Sequence, residues 1–380
     1  MKVLFVVNAR MPTERAHGIQ IAKMVEAFIE QDDEVELVVP RRGGTQASVR
    51  DFYDLRVSVP TTHVPVLNVY RFGSPGFFVG SLSFAIASLA LLVWRRLRRG
   101  GYIVYTVDTD TFSSSLLPLA GMPVFTEMHT EKPAHLLQRF FLRRVRGVIA
   151  VNRILERELR RRFPRARFHS CVEQNGVDGS YFEEKDKAAA RTQLGLDAHS
   201  RIVLYVGRFL SWKGLEVVPE AARLYPQAKW YLLGGTREKF VRVIGTEPVA
   251  NMVFVGSVPQ SEISWWMAAA DVLLVLGTRK DAQSWNYTSP MKLFEYFLSR
   301  RPIIACRTPA LREIASDAEV LFYEPDTPHN LADKVREAIE DPAASERRAA
   351  AALRRGLRSS WRARAARIRS FIETSLSSQP

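Results

Sequence analysis

The chain has 380 residues, about twice the length of a typical domain, so the sequence predicts two compact domains. Hydrophobic residues make up 47% and charged residues 25%, a balance that excludes a largely disordered chain. Cys171 and Cys306 lie too far apart for a metal knuckle or a disulfide framework, which fits a reducing compartment. Residues 1–15 lack the apolar core and cleavage site of a signal peptide, so we expect a cytoplasmic protein.

Positive charge is concentrated in arginine clusters. Lysine and arginine outnumber aspartate and glutamate by 54 to 40, and the excess lies in residues 95–99, 139–167 and 347–369. Such clusters attract anionic lipids, nucleic acids or phosphorylated substrates, although solvated helix faces explain them equally well. Because no DNA-reading helix or zinc-knuckle spacing is visible, we expect no nucleic-acid partner.

The first half alternates between strand and helix patterns. Residues 2–7 form the continuous apolar run of a strand buried on both faces, and apolar residues recur at helical spacing over 21–29. The alternation predicts a parallel α/β sheet with helices on both faces. The further strands predicted in this half are Glu34–Val39, Tyr102–Val107, Val124–Thr126 and Val148–Val151.

One apolar segment, residues 77–94, is uncharged and is followed at once by arginines, which meets the lower limit for a membrane span. Spanning would place the predicted strands 2–7 and 102–107 on opposite sides of a bilayer. We therefore predict a buried or interfacial helix and a peripheral protein at the inner face of the membrane.

The second half restarts the alternation after a polar stretch that we interpret as a linker. A long basic helix is predicted over Arg347–Ile372 at the end of the chain. The predicted strands are Ile202–Val206, Trp230–Leu233, Met252–Val255, Val272–Leu276, Ile303–Ala305 and Val320–Phe322. The predicted domains cover 1–175 and 199–350, with the linker over 176–198 and a closing segment over 351–380. Two such sheets in tandem predict a ligand-binding crevice at the carboxyl ends of their strands.

The strongest motif begins a predicted helix. Ser289 is a good N-cap and Pro290 a good first helical residue, so the N–H groups of Met291 and Lys292 would form an anion site. Glu295, about one turn further on, is placed to accept hydrogen bonds from ribose hydroxyls. An ordinary capped helix with a surface glutamate explains the same pattern.

Two loops after predicted strands carry further candidates. Arg208 and Lys213 flank a strand-to-helix loop, from which they can converge on one diphosphate. Gly18, in the loop after the first strand, would let a phosphate approach the backbone at a helix start near Ile19. A plain connecting loop explains the same sequence equally well.

A lone histidine, His129, follows a predicted strand and so would face the crevice. Glu127, two residues earlier, is predicted to point away from it, and no relay between the two is predicted. A structural role for the histidine remains the common alternative.

Together these motifs resemble the retaining glycosyltransferases of family 4, and the likeness covers nearly the whole chain. It extends to Asn175–Asp178, Arg301–Ile304, His17–Gln20 and Ser360–Trp361. The resemblance implies an α/β fold of the GT-B type, with two Rossmann-like domains whose parallel sheets face a central cleft. It implies acceptor binding by the N-terminal domain, nucleotide-sugar binding by the C-terminal domain, and a C-terminal helix that returns to the N-terminal domain.

The resemblance also implies residue roles. Arg208 and Lys213 would bind the donor diphosphate, Glu295 the ribose, and His129 would lie near the transferred sugar, which makes His129, Arg208 and Lys213 the candidate catalytic residues. The family often has two glutamates eight residues apart, but Tyr287 occupies the first position here, with Asp281 as a possible substitute. The candidate donor-binding residues are Gly18, Arg208, Lys213, Tyr287, Ser289, Met291, Lys292 and Glu295.

The implied activity is a retaining hexosyltransferase of cell-envelope polysaccharide synthesis. It would move a sugar from a UDP- or GDP-sugar to a lipid-linked or glycan acceptor at an anionic membrane surface, with no metal or other cofactor. The alternatives are a nucleotide-sugar epimerase, a non-catalytic donor-binding subunit and a metal-dependent transferase of another fold, suggested by Asp108-Thr109-Asp110.

Overall fold

The computed structural model describes residues 1–43, 47–179 and 184–378, apart from the side chain of Arg99. The chain divides into two compact units. Unit 1 comprises residues 1–174 and 361–380, and unit 2 comprises residues 175–360.

Unit 1 is built on a seven-stranded sheet with the order β3-β2-β1-β4-β5-β6-β7, in which all neighbours pair in parallel. The five predicted strands are all present. β3 and β7 were not predicted, since these short edge strands are only partly buried and lack a continuous apolar run. The strands are β1 Lys2–Val6, β2 Glu34–Pro40, β3 Thr61–Val64, β4 Tyr102–Val107, β5 Val124–Met128, β6 Gly147–Ala150 and β7 His169–Val172.

The last helix of the chain belongs to unit 1. It packs against the first helix and against β6 and β7. Its buried face includes Ile368 and Ile372, and the ring of Phe371 packs edge-to-face on Phe125 with centroids 6.1 Å apart. The helices of unit 1 are α1 Ala16–Ile29, α2 Val49–Tyr53, α3 Gly73–Arg99, α4 Leu136–Leu142, α5 Arg153–Arg162 and α14 Trp361–Ser377.

The apolar segment forms α3, a crossover helix of the sheet. The strands before and after it, β3 and β4, lie in the same sheet. One face of α3 is buried through Phe84 and Leu92, while Ile86, Trp94 and Leu97 are exposed. By length and composition, residues 70–98 are apolar enough to cross a membrane. Within the protein, 39% of the most apolar 18-residue stretch of this helix is buried.

Unit 2 is built on a six-stranded parallel sheet with the order β10-β9-β8-β11-β12-β13. All six predicted strands of this half are present. They are β8 Arg201–Val206, β9 Ala228–Leu233, β10 Met252–Gly256, β11 Val272–Val275, β12 Ile303–Cys306 and β13 Leu321–Tyr323. The helices are α6 Lys187–Gln193, α7 Val218–Leu224, α8 Arg237–Ile244, α9 Gln260–Ala269, α10 Met291–Leu298, α11 Pro309–Ile314, α12 Pro328–Glu340 and α13 Pro342–Arg358.

Two predicted boundaries differ from the structure. The predicted linker, 176–198, contains α6, which packs on α9 and buries Ala190; residues 180–183 lie outside the described residues. The long basic helix is two helices, because the carbonyl of Ser359 accepts the N–H of Val177 at 2.9 Å between α13 and α14. Residues 351–358 therefore belong to unit 2, where α13 packs on α10.

Candidate functional site

Three basic side chains cluster in unit 2 after the carboxyl end of β8. Lys213 Nζ lies 3.5 Å from the position that a β carbon would occupy on Gly207, the residue before Arg208. Lys292, in the first turn of α10, holds its Nζ 3.8 Å from the ring centroid of Tyr205 on β8. The structure therefore brings together the two basic residues of the loop and the start of α10.

The cluster places positive charges close together. Burial, and then the charge of Arg208, lowers the pKa of Lys213 to about 8. Burial, and then the charge of Lys213, lowers the pKa of Lys292 well below its ordinary value. In the described part of the chain, neither Arg208 nor Lys213 forms an ion pair with a carboxylate. An anionic ligand would offset this repulsion, so the cluster has the electrostatics of an anion site.

The start of α10 differs in detail from the prediction. Ser289 is not the N-cap, because its hydroxyl accepts the N–H of Asn175 at 3.2 Å and its carbonyl accepts from Asn175 Nδ2 at 2.5 Å. Pro290 takes the N-cap position with an extended ψ of 119°, and the helix begins at Met291. The N–H groups of Met291 and Lys292 still stand in the first turn, where a helix leaves donors for an anion.

Glu295 lies near the basic cluster on α10. Burial raises the pKa of its carboxyl to about 7, although the charge of Lys292 and a hydrogen bond from Gln260 act in the opposite direction. A carboxyl with this pKa titrates near neutral pH. Polar ligand groups that reached it would favour the ionised form.

The two candidates for the family's first glutamate position have different surroundings. Tyr287 ends a π-helical turn, Gln283–Tyr287, and is 6% exposed. Asp281 Oδ1 accepts the backbone N–H groups of Gln283 and Ser284 at 2.8 and 3.1 Å, so this carboxylate holds the turn in place. Asp281 Oδ1 is therefore engaged by the backbone of this turn.

Close packing of loops in unit 2 requires glycine. Gly214 has a φ of +71°, and a β carbon there would lie 2.2 Å from the carbonyl oxygen of Gly277. Gly234, with a φ of +112°, would place a β carbon 2.5 Å from the carbonyl oxygen of Gly207. The loops that follow β8, β9 and β11 therefore approach one another closely beside Lys213.

In unit 1 a fully buried carboxylate, Glu127 on β5, receives hydrogen bonds from side chains of three other elements. Gln20 Nε2 donates at 2.9 Å, the hydroxyl of Tyr105 at 2.6 Å, and Arg364 Nη2 and Nη1 at 2.7 and 3.2 Å. His129 Nε2 lies 2.9 Å from Glu127 Oε1. The prediction that Glu127 points away from His129 is wrong, because side chains two residues apart on a strand share a face.

Glu127 is held as a carboxylate. Burial alone would raise the pKa of Glu127, but the charge of Arg364 and the hydrogen bond with His129 outweigh burial and bring that pKa well below its ordinary value. An ionised carboxylate only accepts hydrogen bonds, so this network assigns the proton of the His129 ring to Nε2. The carboxylate therefore fixes both the orientation and the tautomer of the imidazole.

Sequence reasoning missed this network for a specific reason. Its members come from α1, β4, β5 and α14, and the sequence separation of the Glu127–Arg364 contact is 237 residues. One local signal exists, since Arg364 lies on the same helical face as Ile368 and Ile372, where a solvated arginine is not expected.

The acidic pair suggested as a metal site is engaged by protein groups. Asp108 Oδ1 accepts the N–H of His129 at 3.1 Å, and its Oδ2 lies 2.9 Å from Lys132 Nζ. Asp110 Oδ2 accepts from Asn8 Nδ2 at 2.7 Å. Both carboxylates therefore have protein partners within unit 1.

Gly18 serves packing within unit 1. Helix α1 begins at Ala16, earlier than predicted, and the N–H of Gly18 bonds to the carbonyl of Arg15 at 2.9 Å. A β carbon on Gly18 would lie 2.3 Å from the hydroxyl of Tyr53 and 2.5 Å from Thr13 Cγ2. The absent side chain therefore makes room for protein atoms.

Solved structures share this fold. The sucrose-phosphate synthase of Thermosynechococcus elongatus matches with a TM-score of 0.76 and 17% identity over 100% of both chains. The Anabaena protein HepE in complex with UDP matches with a TM-score of 0.72 and 17% identity, over 98% of this chain and 100% of that one. Two Rossmann-like units with these neighbours define a GT-B fold, as predicted.

Family comparisons identify the group within that fold class. Residues 18–180 match the family described as Glycosyltransferase Family 4, and residues 186–355 match Glycosyl transferases group 1. The chain therefore belongs to the group 1 glycosyltransferases of family 4. A D-inositol 3-phosphate glycosyltransferase of a Nocardioides species is 27% identical over 211 residues, which are 49% of this chain and 44% of the relative. The match thus spans less than half the length of that curated relative.

Proposed function

We propose that this protein transfers a sugar from a nucleotide diphosphate to an acceptor, with retention of the anomeric configuration. The observation that carries the proposal is the cluster of Arg208, Lys213 and Lys292 at the start of α10 in a chain of this family. The donor would be a UDP- or GDP-sugar, and the UDP complex of HepE supports a nucleotide donor.

Stabilisation of the leaving diphosphate would be the main contribution to catalysis. The guanidinium of Arg208 can bind two phosphate oxygens with its planar fork, whereas Lys213 acts as a point charge. The first N–H groups of α10 would add donors at the positive end of the helix dipole. Together these groups would stabilise the negative charge that develops as the sugar leaves, so a metal ion would be dispensable.

Retention is supported by the surroundings of the acidic groups. Glu127 is fully buried and accepts hydrogen bonds from Gln20, Tyr105 and Arg364, so it is not available as a nucleophile. Glu295 is assigned to the ribose. Transfer would therefore occur on the donor's own face, and the departing diphosphate would accept the proton of the acceptor.

His129 would orient the transferred sugar. Glu127 accepts the Nε2 proton and so holds the imidazole in one orientation. Ring orientation would thus be set before the substrate arrives.

The acceptor would be a lipid-linked or glycan molecule at the cytoplasmic face of the membrane, within cell-envelope polysaccharide synthesis. Support comes from α3, where Leu97 is 81% exposed and the guanidiniums of Arg95 and Arg98 lie 5.0 and 4.8 Å from the Trp94 ring. Exposed tryptophan and leucine with neighbouring arginines are typical of helices that lie in a lipid interface.

The proposal is tested first by a thermal-shift screen of UDP, GDP and their sugars on the full chain. A donor that binds the native state raises the melting temperature. The stabilising donor is then incubated with lipid and glycan acceptors, and products are analysed by mass spectrometry. Turnover without an acceptor would instead indicate an epimerase, and binding without turnover on any acceptor would indicate a donor-binding subunit. Failure of every nucleotide to bind would refute the proposed function.

A further inference from the structure

A cavity in unit 1 is lined chiefly by arginine. Its volume is about 370 Å³, within the range of roughly 300–1,000 Å³ that is usual for small-ligand sites. It lies beside the last turn of α4, the last turn of α5 and the turn that follows α5. The five arginines around it are Arg139, Arg143, Arg161, Arg162 and Arg165.

The carboxylates near this cavity do not balance its charge. Glu158 accepts from Arg161 Nε and Nη2 at 2.8 and 2.7 Å and also pairs with Arg162. Arg162 Nη2 lies 2.6 Å from Glu131 Oε2. With five guanidiniums against these two carboxylates, three positive charges remain uncompensated.

The uncompensated charges belong to exposed side chains on separate segments. Arg139 lies in the last turn of α4, Arg143 is its C-cap, and Arg165 is in the turn after α5. Across residues 1–43, 47–179 and 184–378, none of these three has a carboxylate partner. Favourable interaction with a helix C-terminus explains an arginine in a last turn, but it does not explain why these groups meet around one cavity.

The position of the cavity separates it from His129. α4 and α5 end shortly before β6 and β7 begin, so the cavity lies near the amino-terminal edge of the sheet. His129 follows β5 and is not among the residues that line the cavity. The cavity is therefore distinct from the proposed sugar site.

We infer that this arginine cavity binds a phosphate-bearing ligand, either a phosphomonoester or a pyrophosphate group. Planar guanidinium forks match the oxygens of phosphate bidentately, and such charge-assisted bonds are among the stronger ones in proteins. A multiply charged phosphate would offset the repulsion among Arg139, Arg143 and Arg165. Its source is a soluble phosphorylated molecule or the headgroup of an anionic lipid. The inference does not depend on the proposed transfer reaction.

The test compares two double variants of the full chain. Arg139→Gln with Arg143→Gln removes two charges from the cavity. Arg354→Gln with Arg358→Gln removes two charges from exposed positions of α13 in unit 2, which makes it a matched control. A third variant, Arg165→Gln, tests the cavity from a different segment. Thermal unfolding of each chain verifies that it is folded.

The binding of inorganic pyrophosphate to each variant is measured by calorimetric titration. Every variant also carries Lys213→Ala, which weakens anion binding at the basic cluster of unit 2. Vesicles of phosphatidylcholine, with and without phosphatidic acid, whose headgroup is a phosphomonoester, form the second arm. We expect the cavity variants to bind pyrophosphate roughly tenfold or more weakly than the control variant. A selective loss of binding to the phosphatidic-acid vesicles alone would also support the site and would assign it to a lipid headgroup. Equal binding by cavity and control variants in both arms would overturn the inference.

Discussion

Arg364 Nη2 lies 2.7 Å from Glu127 Oε1, and both side chains are almost completely buried in unit 1. The pair connects the last helix of the chain to the end of β5, two residues before His129. The charge of Arg364 acts against burial to keep Glu127 ionised, and the ionised carboxylate in turn fixes the ring of His129. The C-terminal helix is thus connected to the candidate catalytic histidine through one carboxylate.

Breaking this pair should destabilise the fold strongly. We expect Arg364→Met or Glu127→Gln alone to lower the free energy of unfolding by about 3–5 kcal/mol, because each leaves one buried polar partner uncompensated. The double variant should lose less than the sum of the single losses, since neither charge is then left alone. Urea unfolding of the four chains measures this coupling. If the two losses were additive, Arg364 and Glu127 would not be coupled. Ile86→Ala, on the exposed face of α3, serves as a control and should change the free energy of unfolding little.

Donor affinity should depend on the two basic residues of the β8 loop. Lys213→Ala and Arg208→Ala should each weaken nucleotide-sugar binding by about 1.5–3 kcal/mol, which is the usual value of a charge-assisted hydrogen bond. Calorimetry with the donor found by thermal shift measures the loss. Lys229→Ala, on the exposed part of β9, removes one positive charge elsewhere in unit 2 and should leave affinity unchanged. Native affinity in both loop variants would eliminate the assigned diphosphate site.

The same site predicts a pH dependence of donor binding. The pKa of Lys213 is lowered to about 8, so its side chain is charged below that pH and becomes neutral as the pH rises through it. Affinity for the diphosphate should therefore decrease above about pH 8 in the native chain. Lys213→Arg should bind with little pH dependence over the same range, since arginine stays charged. A parallel decrease in the arginine variant would show that another group titrates.

Stereochemistry and metal dependence test the proposed mechanism directly. NMR assignment of the newly formed anomeric centre should show the configuration of the donor, and turnover should persist in excess chelator because the basic cluster neutralises the leaving group. An inverted product would require a general base aimed at the acceptor, for which His129 would be the first candidate. Loss of activity in chelator, restored by magnesium or manganese, would contradict a metal-free mechanism.

Membrane association should depend on the exposed face of α3. Leu97→Glu places a charge where a side chain that is 81% exposed would enter the lipid interface, so binding to anionic vesicles should decrease severalfold. Leu357→Glu on α13 changes a side chain that is 66% exposed in unit 2 and should have no such effect. Vesicle flotation at low salt measures both. Equal binding by the two variants would remove α3 as the docking surface.

The sequence by itself identified five of the seven strands of unit 1, all six strands of unit 2 and the basic residues at the end of β8. Strands buried on both faces need continuous apolar runs, so residues 2–6 and 202–206 were recognisable without any tertiary information. Arg208, Lys213 and the start of α10 were likewise recognisable, because loops at the carboxyl ends of parallel strands share one edge of a sheet.

Only the tertiary structure decided the partners of buried polar groups. Glu127 meets Gln20 and Arg364 across 107 and 237 residues of sequence, and no local periodicity encodes such pairings. The N-cap of α10 was decided in the same way, since Asn175 engages Ser289 from 114 residues away. The local sequence pattern indicates which face of a helix or strand is apolar. A hydrogen-bond network depends instead on which distant elements pack together.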